Sequence, residues 1–174
     1  MKALFKTHES YTPFIARLTL GLAMFPHGAQ KALGWFGGYG FSGTMNFFTG
    51  QMHIPAVFAL LAIAAEFAGS VGLKTGFLSR ASAFGLAVNM LVAALMVHAS
   101  NGFFMNWMGT QKGEGFEYHL LAIGLALIVI IAGGGKSSID SLLSRALRPM
   151  IGRVADGLSR RREPACTGEF SNSD

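Results

Sequence analysis

Four apolar runs, each about as long as a membrane helix, constrain this chain more than any other feature of its sequence. They cover residues 13–33, 54–73, 77–98 and 117–133. A helix needs roughly 20 residues to cross a hydrocarbon core of about 30 Å. The composition agrees, because only 13% of the residues are charged, compared with about 25% in soluble domains. We therefore predict an all-α fold, a four-helix transmembrane bundle with a cytoplasmic amphipathic helix.

Lysine and arginine are distributed unevenly about these runs, and this predicts the orientation. Eleven of the 14 basic residues belong to one side: ten lie before the first run, between the second and third, or after the fourth, and Arg80 lies at the start of the third run. Only Lys31 and Lys112 belong to the opposite side, and Arg17 lies inside the first run. Because basic segments stay in the cytoplasm, both termini should be cytoplasmic, with residues 1–12 as a cytoplasmic N-terminal segment. The long connectors should then face outward.

The positive charge is concentrated directly after the last apolar run. Residues 136–162 carry seven basic and two acidic side chains, with apolar residues at helical spacing. Ser137 and Asp140 form a helix start signal, and Pro149 predicts a kink. We expect an amphipathic helix that binds anionic lipid headgroups, rather than a nucleic-acid partner; a helix that docks soluble proteins is the alternative. Residues 163–174, which include the single cysteine, read as a disordered tail.

Two charged residues, Arg17 and Glu66, lie within the apolar runs and need partners there. Ionisable side chains at membrane depth usually face the interior of a bundle. Arg17 shares one face of the first helix with Gly21, Gly28 and Lys31, so the sequence predicts that this face packs against other helices. We predict an intramembrane ion pair between Arg17 and Glu66. A structural clamp and a proton relay are both open as roles for this pair.

A second polar group is expected at the outward ends of the helices. Pro26 should bend the first helix beside His27, and short connections would bring neighbouring helix ends together. The candidate polar site, which could hold a quinone headgroup or deliver protons, consists of His27, Lys31, His98, Glu117 and His119. No metal is predicted, because the spacing of the histidines does not suit one and a lysine would repel it. Histidines that only bind interfacial water are the alternative.

The sequence contains a series of short motifs in an order that resembles a known protein family. Between residues 13 and 141 the sequence resembles the DoxX family in these motifs: R-L-x-L-G (residues 17–21), P-H-G-x-Q-K (26–31), F-G-G-x-G-F (36–41), A-E-F-x-G (65–69), L-x-R-x-x-A (78–83), H-x-x-x-G-F-F (98–104), E-Y (117–118) and S-x-D (138–140). The resemblance implies a bacterial or archaeal inner-membrane protein with four helices. Its relative DoxD is a subunit of a thiosulfate to quinone oxidoreductase. A mycobacterial relative assembles with superoxide dismutase and a sulfurtransferase.

From this resemblance we expect a membrane subunit of a redox or oxidative-stress assembly that interacts with quinone and with soluble redox enzymes. The residues leave open whether the chain catalyses a reaction. A non-catalytic scaffold that recruits soluble enzymes through the basic helix is the alternative, and a small-molecule transporter is less favoured because no inverted repeat is visible. The glycine-rich face of the first helix would also allow a homodimer.

Overall fold

The structure, a computed structural model, describes residues 7–146, and all regular structure within them is helical. This confirms the all-α class. The helices are α1 (Tyr11–Leu33), α2 (Gly40–Asn46), α3 (Ala56–Thr75), α4 (Ser79–Ala93), α5 (Glu117–Ala132) and α6 (139–146, where the described residues end).

Local sequence signals set the ends of these helices. The Ser10 hydroxyl accepts a hydrogen bond from the amide of Thr12 at 3.2 Å and caps the start of α1. Gly34 and Gly76 end α1 and α3 in the left-handed conformation, with φ of 74° and 72°, which glycine adopts without steric cost. After α4 the chain continues as a π-turn at Ala94–His98 and a 3₁₀ turn.

The four long helices pack in a ring in the order α1, α3, α4, α5, with α5 returning to α1. Apolar side chains from all four fill the centre, among them Leu20, Leu73, Leu86 and Val129, each less than 2% exposed. The short turn between α3 and α4 defines one end of the ring, called the hairpin end below. The opposite end carries the connectors 34–55 and 99–116 and is called the loop end.

Apolar side chains also cover the outside of the ring. Two segments, Ala56–Thr75 and Ser79–Asn101, are long and apolar enough to cross a membrane, with mean hydropathies of 2.0 and 1.8. Only 39% and 22% of their most apolar windows are buried within the protein, whereas a core helix of a soluble protein would be mostly buried. α5 is apolar but shorter, at 16 residues. The outward faces of these helices therefore suit a lipid environment.

Arg17 closes the hairpin end of the ring. Its side chain is 1% exposed and donates hydrogen bonds to carbonyl oxygens of two segments. In the turn after α5, Nε donates to Gly134 at 2.7 Å and Nη2 to Ser137 at 2.8 Å. At the end of α3, Nη1 donates to Leu73 at 2.7 Å and to Lys74 at 2.9 Å. The carbonyls at helix C-termini lack partners within their own helix and carry partial negative charge. Arg17 therefore joins the ends of α3 and α5 through α1.

The predicted ion pair between Arg17 and Glu66 was wrong. Gly28 of α1 lies against the backbone of Glu66, and Arg17 precedes Gly28 by eleven residues, or about 16 Å along a helix. The guanidinium is therefore at the hairpin end, and its Nη1 binds the carbonyls of Leu73 and Lys74 instead.

Asp140 holds the turn between α3 and α4. Its two carboxylate oxygens accept hydrogen bonds from the amides of Leu78 and Ser79, each at 2.8 Å, at the start of α4. α6 begins at residue 139. Ser138, rather than the predicted Ser137, caps it by accepting a hydrogen bond from the amide of Ser141 at 3.1 Å. The rest of the predicted amphipathic helix, with Pro149, and the predicted tail at 163–174 lie outside the described residues.

Candidate functional site

Glu66 is the centre of a buried polar cluster. It is 4% exposed, and its two oxygens bind different helices: Oε2 accepts from Lys31 Nζ of α1 at 2.5 Å, and Oε1 accepts from Asn89 Nδ2 of α4 at 2.8 Å. A buried carboxylate needs a counter-charge and hydrogen bonds to offset its desolvation. The Lys31–Glu66–Asn89 cluster provides both, and it joins α1, α3 and α4.

Gly28 explains how Lys31 comes within reach of Glu66. A Cβ atom at position 28 would lie 2.6 Å from the Cα of Phe67 and 2.7 Å from the carbonyl carbon and oxygen of Glu66. Only a residue without a side chain allows this close approach of two helix backbones. Lys31 follows Gly28 by three residues, on the same side of α1, so the ammonium group is directed toward the Glu66 carboxylate.

Two imidazoles lie side by side at the loop end. The ring centroids of His98 and His119 are 4.2 Å apart. His98 Nδ1 lies 2.8 Å from the carbonyl oxygen of Glu114, which fixes the ring to the connector before α5. His119 is 7% exposed, and its Nδ1 has no hydrogen-bond partner within the described part of the chain. A buried polar nitrogen without a partner is rare in folded proteins and requires an explanation.

Tyr118 connects His119, its neighbour on α5, with His27 of α1. Its ring centroid is 5.9 Å from that of His119 and 6.2 Å from that of His27. Its hydroxyl donates to the sulfur of Met24 at 3.3 Å. His27, Tyr118, His119 and His98 therefore form a row of neighbouring rings across the loop end, which we call the ring row.

Glu117 faces the connector 99–116. Its Oε2 accepts from the amide of Met105 at 3.3 Å, and its own amide donates to the carbonyl of Phe103 at 2.9 Å. Beside it is a largely apolar cavity of about 220 Å³, lined by Met105, Trp107, Glu117, Tyr118 and Leu121. Tyr118 lines this cavity and also belongs to the ring row, so the cavity and the ring row share this residue.

The five predicted site residues thus divide into three neighbouring groups: Lys31 joins Glu66, the three histidines join the ring row, and Glu117 lines the cavity. Sequence reasoning missed Asn89 and Tyr118. Asn89 had a signal, since it is a polar residue in the middle of an apolar run, and Tyr118 is adjacent to two predicted residues. Among residues 7–146, no three His, Cys, Asp or Glu side chains are arranged to hold a metal ion.

Comparison with known proteins identifies the family. The sequence model of the DoxX family matches residues 12–99. The chain is 30% identical over 112 residues to inner membrane protein YqjF of Escherichia coli (strain K12), and the match covers 64% of this chain and 81% of YqjF. No solved structure matches the chain. The matched residues include Lys31, Glu66, Asn89 and His98, and the chain therefore belongs to the DoxX family of membrane proteins.

Proposed function

We propose that this chain is a four-span subunit of a redox or oxidative-stress assembly in the bacterial inner membrane, and that it binds the ring of a quinone at its loop end. The observation that carries the proposal is the apolar cavity of about 220 Å³ whose wall contains Glu117 and Tyr118, with the imidazoles of His27 and His119 next to the Tyr118 ring.

The ring packing supports four spans. α1 and α5 lie against α3 and α4, which are long and apolar enough to cross a membrane. If α3 and α4 cross the membrane, then α1 and α5, which pack against them, lie at the same depth in the bilayer. The charges of α1 do not oppose this, because Arg17 is buried and bound to carbonyls, and Lys31 is paired with Glu66. The uneven distribution of basic residues supports cytoplasmic termini, and the name of YqjF supports the inner membrane.

The cavity has the chemistry of a site for a hydrophobic ring. Small-molecule sites are mostly apolar and carry a few polar groups that orient the ligand. Met105, Trp107 and Leu121 provide the apolar surface. A quinone oxygen accepts hydrogen bonds, so in the proposal the protonated form of the Glu117 carboxyl group donates to it. The aromatic connectors would place the cavity near the membrane interface, where tryptophan is favoured.

The Glu117 carboxyl group and the imidazoles of the ring row can supply the protons that reduction of a quinone consumes. Reduction of a quinone to a quinol takes up two electrons and two protons, and carboxyl and imidazole groups can transfer protons. In the proposal Glu117 gives the ligand one proton, is protonated again through the ring row, which extends to the connector at Glu114, and then gives the second proton. The electrons come from a partner enzyme. The Lys31–Glu66–Asn89 cluster fixes α1 against α3 and α4, and so holds His27 beside Tyr118.

Tryptophan fluorescence tests the binding site, because the chain has only two tryptophans and one of them lines the cavity. In a Trp35→Phe background, a short-chain quinone titrated into purified protein should quench Trp107 to saturation. Leu121→Phe, which fills the cavity, should weaken this quenching. Leu120→Phe adds the same bulk at a neighbouring position that is similarly exposed (56%, against 65% for Leu121) but lies outside the cavity, and it should leave the quenching unchanged. Quenching that does not saturate, or equal effects of the two variants, would refute the site.

A further inference from the structure

A second cleft lies at the hairpin end, far from the proposed quinone site. It has a volume of about 520 Å³ and is formed by the segment before α1, the turn after α5, and α6. The residues that decide its chemistry are Glu9, Lys136, Ser141, Arg145, Ile139 and Leu142. Both polar and apolar groups line it, which distinguishes it from the apolar cavity at the loop end.

The polar side of the cleft carries one net positive charge. The guanidinium of Arg145 binds the Glu9 carboxylate, and the Ser141 hydroxyl donates to the same oxygen at 3.4 Å. The hydrogen bond and charge of Arg145 hold the pKa of Glu9 below its ordinary value, so Glu9 is ionised at neutral pH. Glu9 and Arg145 neutralise one another, and Lys136 supplies the remaining positive charge.

The apolar side of the cleft is open. Ile139 and Leu142 are 39% and 65% exposed, although both line the cleft. Close by, the Lys136 ammonium lies 4.3 Å from the centroid of the Tyr11 ring. Tyr11 begins α1 and Lys136 follows the end of α5. Tyrosine and lysine at helix ends are typical of the membrane interface, so in the proposed four-span arrangement the cleft lies at the level of the lipid headgroups.

We propose that this cleft is a binding site for an anionic phospholipid. The singly charged phosphodiester matches the net charge of the cleft and is bound by Lys136, while Ile139 and Leu142 contact the acyl chains. The exposed apolar side favours a lipid over free phosphate, because an inorganic ion would leave that surface unused. This inference rests on the four-span part of the proposed function and is independent of quinone binding.

Lipid binding to the purified, delipidated full-length chain tests this site. Native mass spectrometry with added phosphatidylglycerol should show one tightly bound lipid per chain, and phosphatidylcholine should bind more weakly. Lys136→Gln should lower the affinity for phosphatidylglycerol about five-fold, which corresponds to about 1 kcal/mol for one basic residue near the membrane surface. Lys112→Gln is the matched control, since it removes the same charge at the loop end and should have no effect.

Glu9→Gln is a variant that should increase the affinity for phosphatidylglycerol. It removes the carboxylate that occupies Arg145, so the net charge of the cleft rises to two and phosphatidylglycerol should bind about five-fold more tightly. A general loss of folding cannot produce this result. Equal effects of Lys136→Gln and Lys112→Gln would overturn the proposal, as would a Glu9→Gln variant that binds no better. Displacement of the lipid by millimolar inorganic phosphate would reassign the site to free phosphate and also overturn it.

Discussion

Gly28→Ala tests whether the close contact between α1 and α3 holds the polar site together. An added Cβ would lie 2.6 Å and 2.7 Å from backbone atoms of Phe67 and Glu66, whereas ordinary contacts of carbon atoms are about 3.5–4.0 Å. Backbone cannot rotate away as a side chain can, so α1 must move outward by about 1 Å. That movement would also lengthen the short hydrogen bond between Lys31 and Glu66.

Two opposing effects decide the sign of the change. Alanine is favoured over glycine in a helix by about 1 kcal/mol, but overpacking costs about 1–3 kcal/mol, and a weakened buried ion pair adds to that cost. We expect Gly28→Ala to lower the free energy of unfolding by about 1–3 kcal/mol. Gly124→Ala is the control, because a Cβ at position 124 of α5 meets no atom within 4 Å, and it should be neutral or slightly stabilising.

Reversible unfolding in mixed detergent micelles, followed by circular dichroism, measures both variants under the same conditions. Quinone quenching of Trp107 in a Trp35→Phe background provides a second readout, since displacement of α1 should weaken binding through His27. If Gly28→Ala is as stable as Gly124→Ala, then α1 and α3 are not in the close contact described, and the explanation for the Lys31–Glu66 pair fails.

Two further substitutions probe the buried charges. Arg17→Lys keeps the charge but replaces a fork of five donors with a single ammonium group. In the same unfolding assay it should lower the free energy of unfolding by about 2–4 kcal/mol, because charged hydrogen bonds are lost. A change below about 0.5 kcal/mol would contradict the role of Arg17 at the hairpin end. Lys31→Met leaves the buried Glu66 carboxylate without a counter-charge and should cost about 3–5 kcal/mol. The double variant Lys31→Met with Glu66→Leu should recover much of that loss, and additive losses would argue against a direct pair.

The helix positions could be predicted because apolar runs and their breakers act locally. Gly34 and Gly76 end helices for a reason visible in the sequence, since only glycine readily adopts their left-handed backbone. The irregular end of the third run was not predictable in this way. Its π-turn at Ala94–His98 occurs within a continuous apolar segment, and hydrophobicity alone does not distinguish a π-turn from an α-helix.

The partner of Glu66 could not be predicted, because the vertical offset between α1 and α3 is a tertiary property. Both Arg17 and Lys31 lie on the packing face of α1, and the sequence does not say which of them stands at the level of Glu66. The close contact between Gly28 and the Glu66 backbone places Lys31, and not Arg17, at the level of Glu66. The site residues themselves were more accessible to prediction, because a polar residue in an apolar run is costly unless it faces a partner.

Photoaffinity labelling with an azido-quinone tests the central claim most directly. The protein is labelled in its native membrane, digested, and analysed by mass spectrometry. The proposal predicts that label is incorporated into the two segments that line the cavity, Met105 to Trp107 and Glu117 to Leu121, and that excess unlabelled quinone and Leu121→Phe both reduce it. Labelling spread over the lipid-facing sides of α3 and α4, unaffected by either competitor or variant, would contradict a quinone site at the loop end.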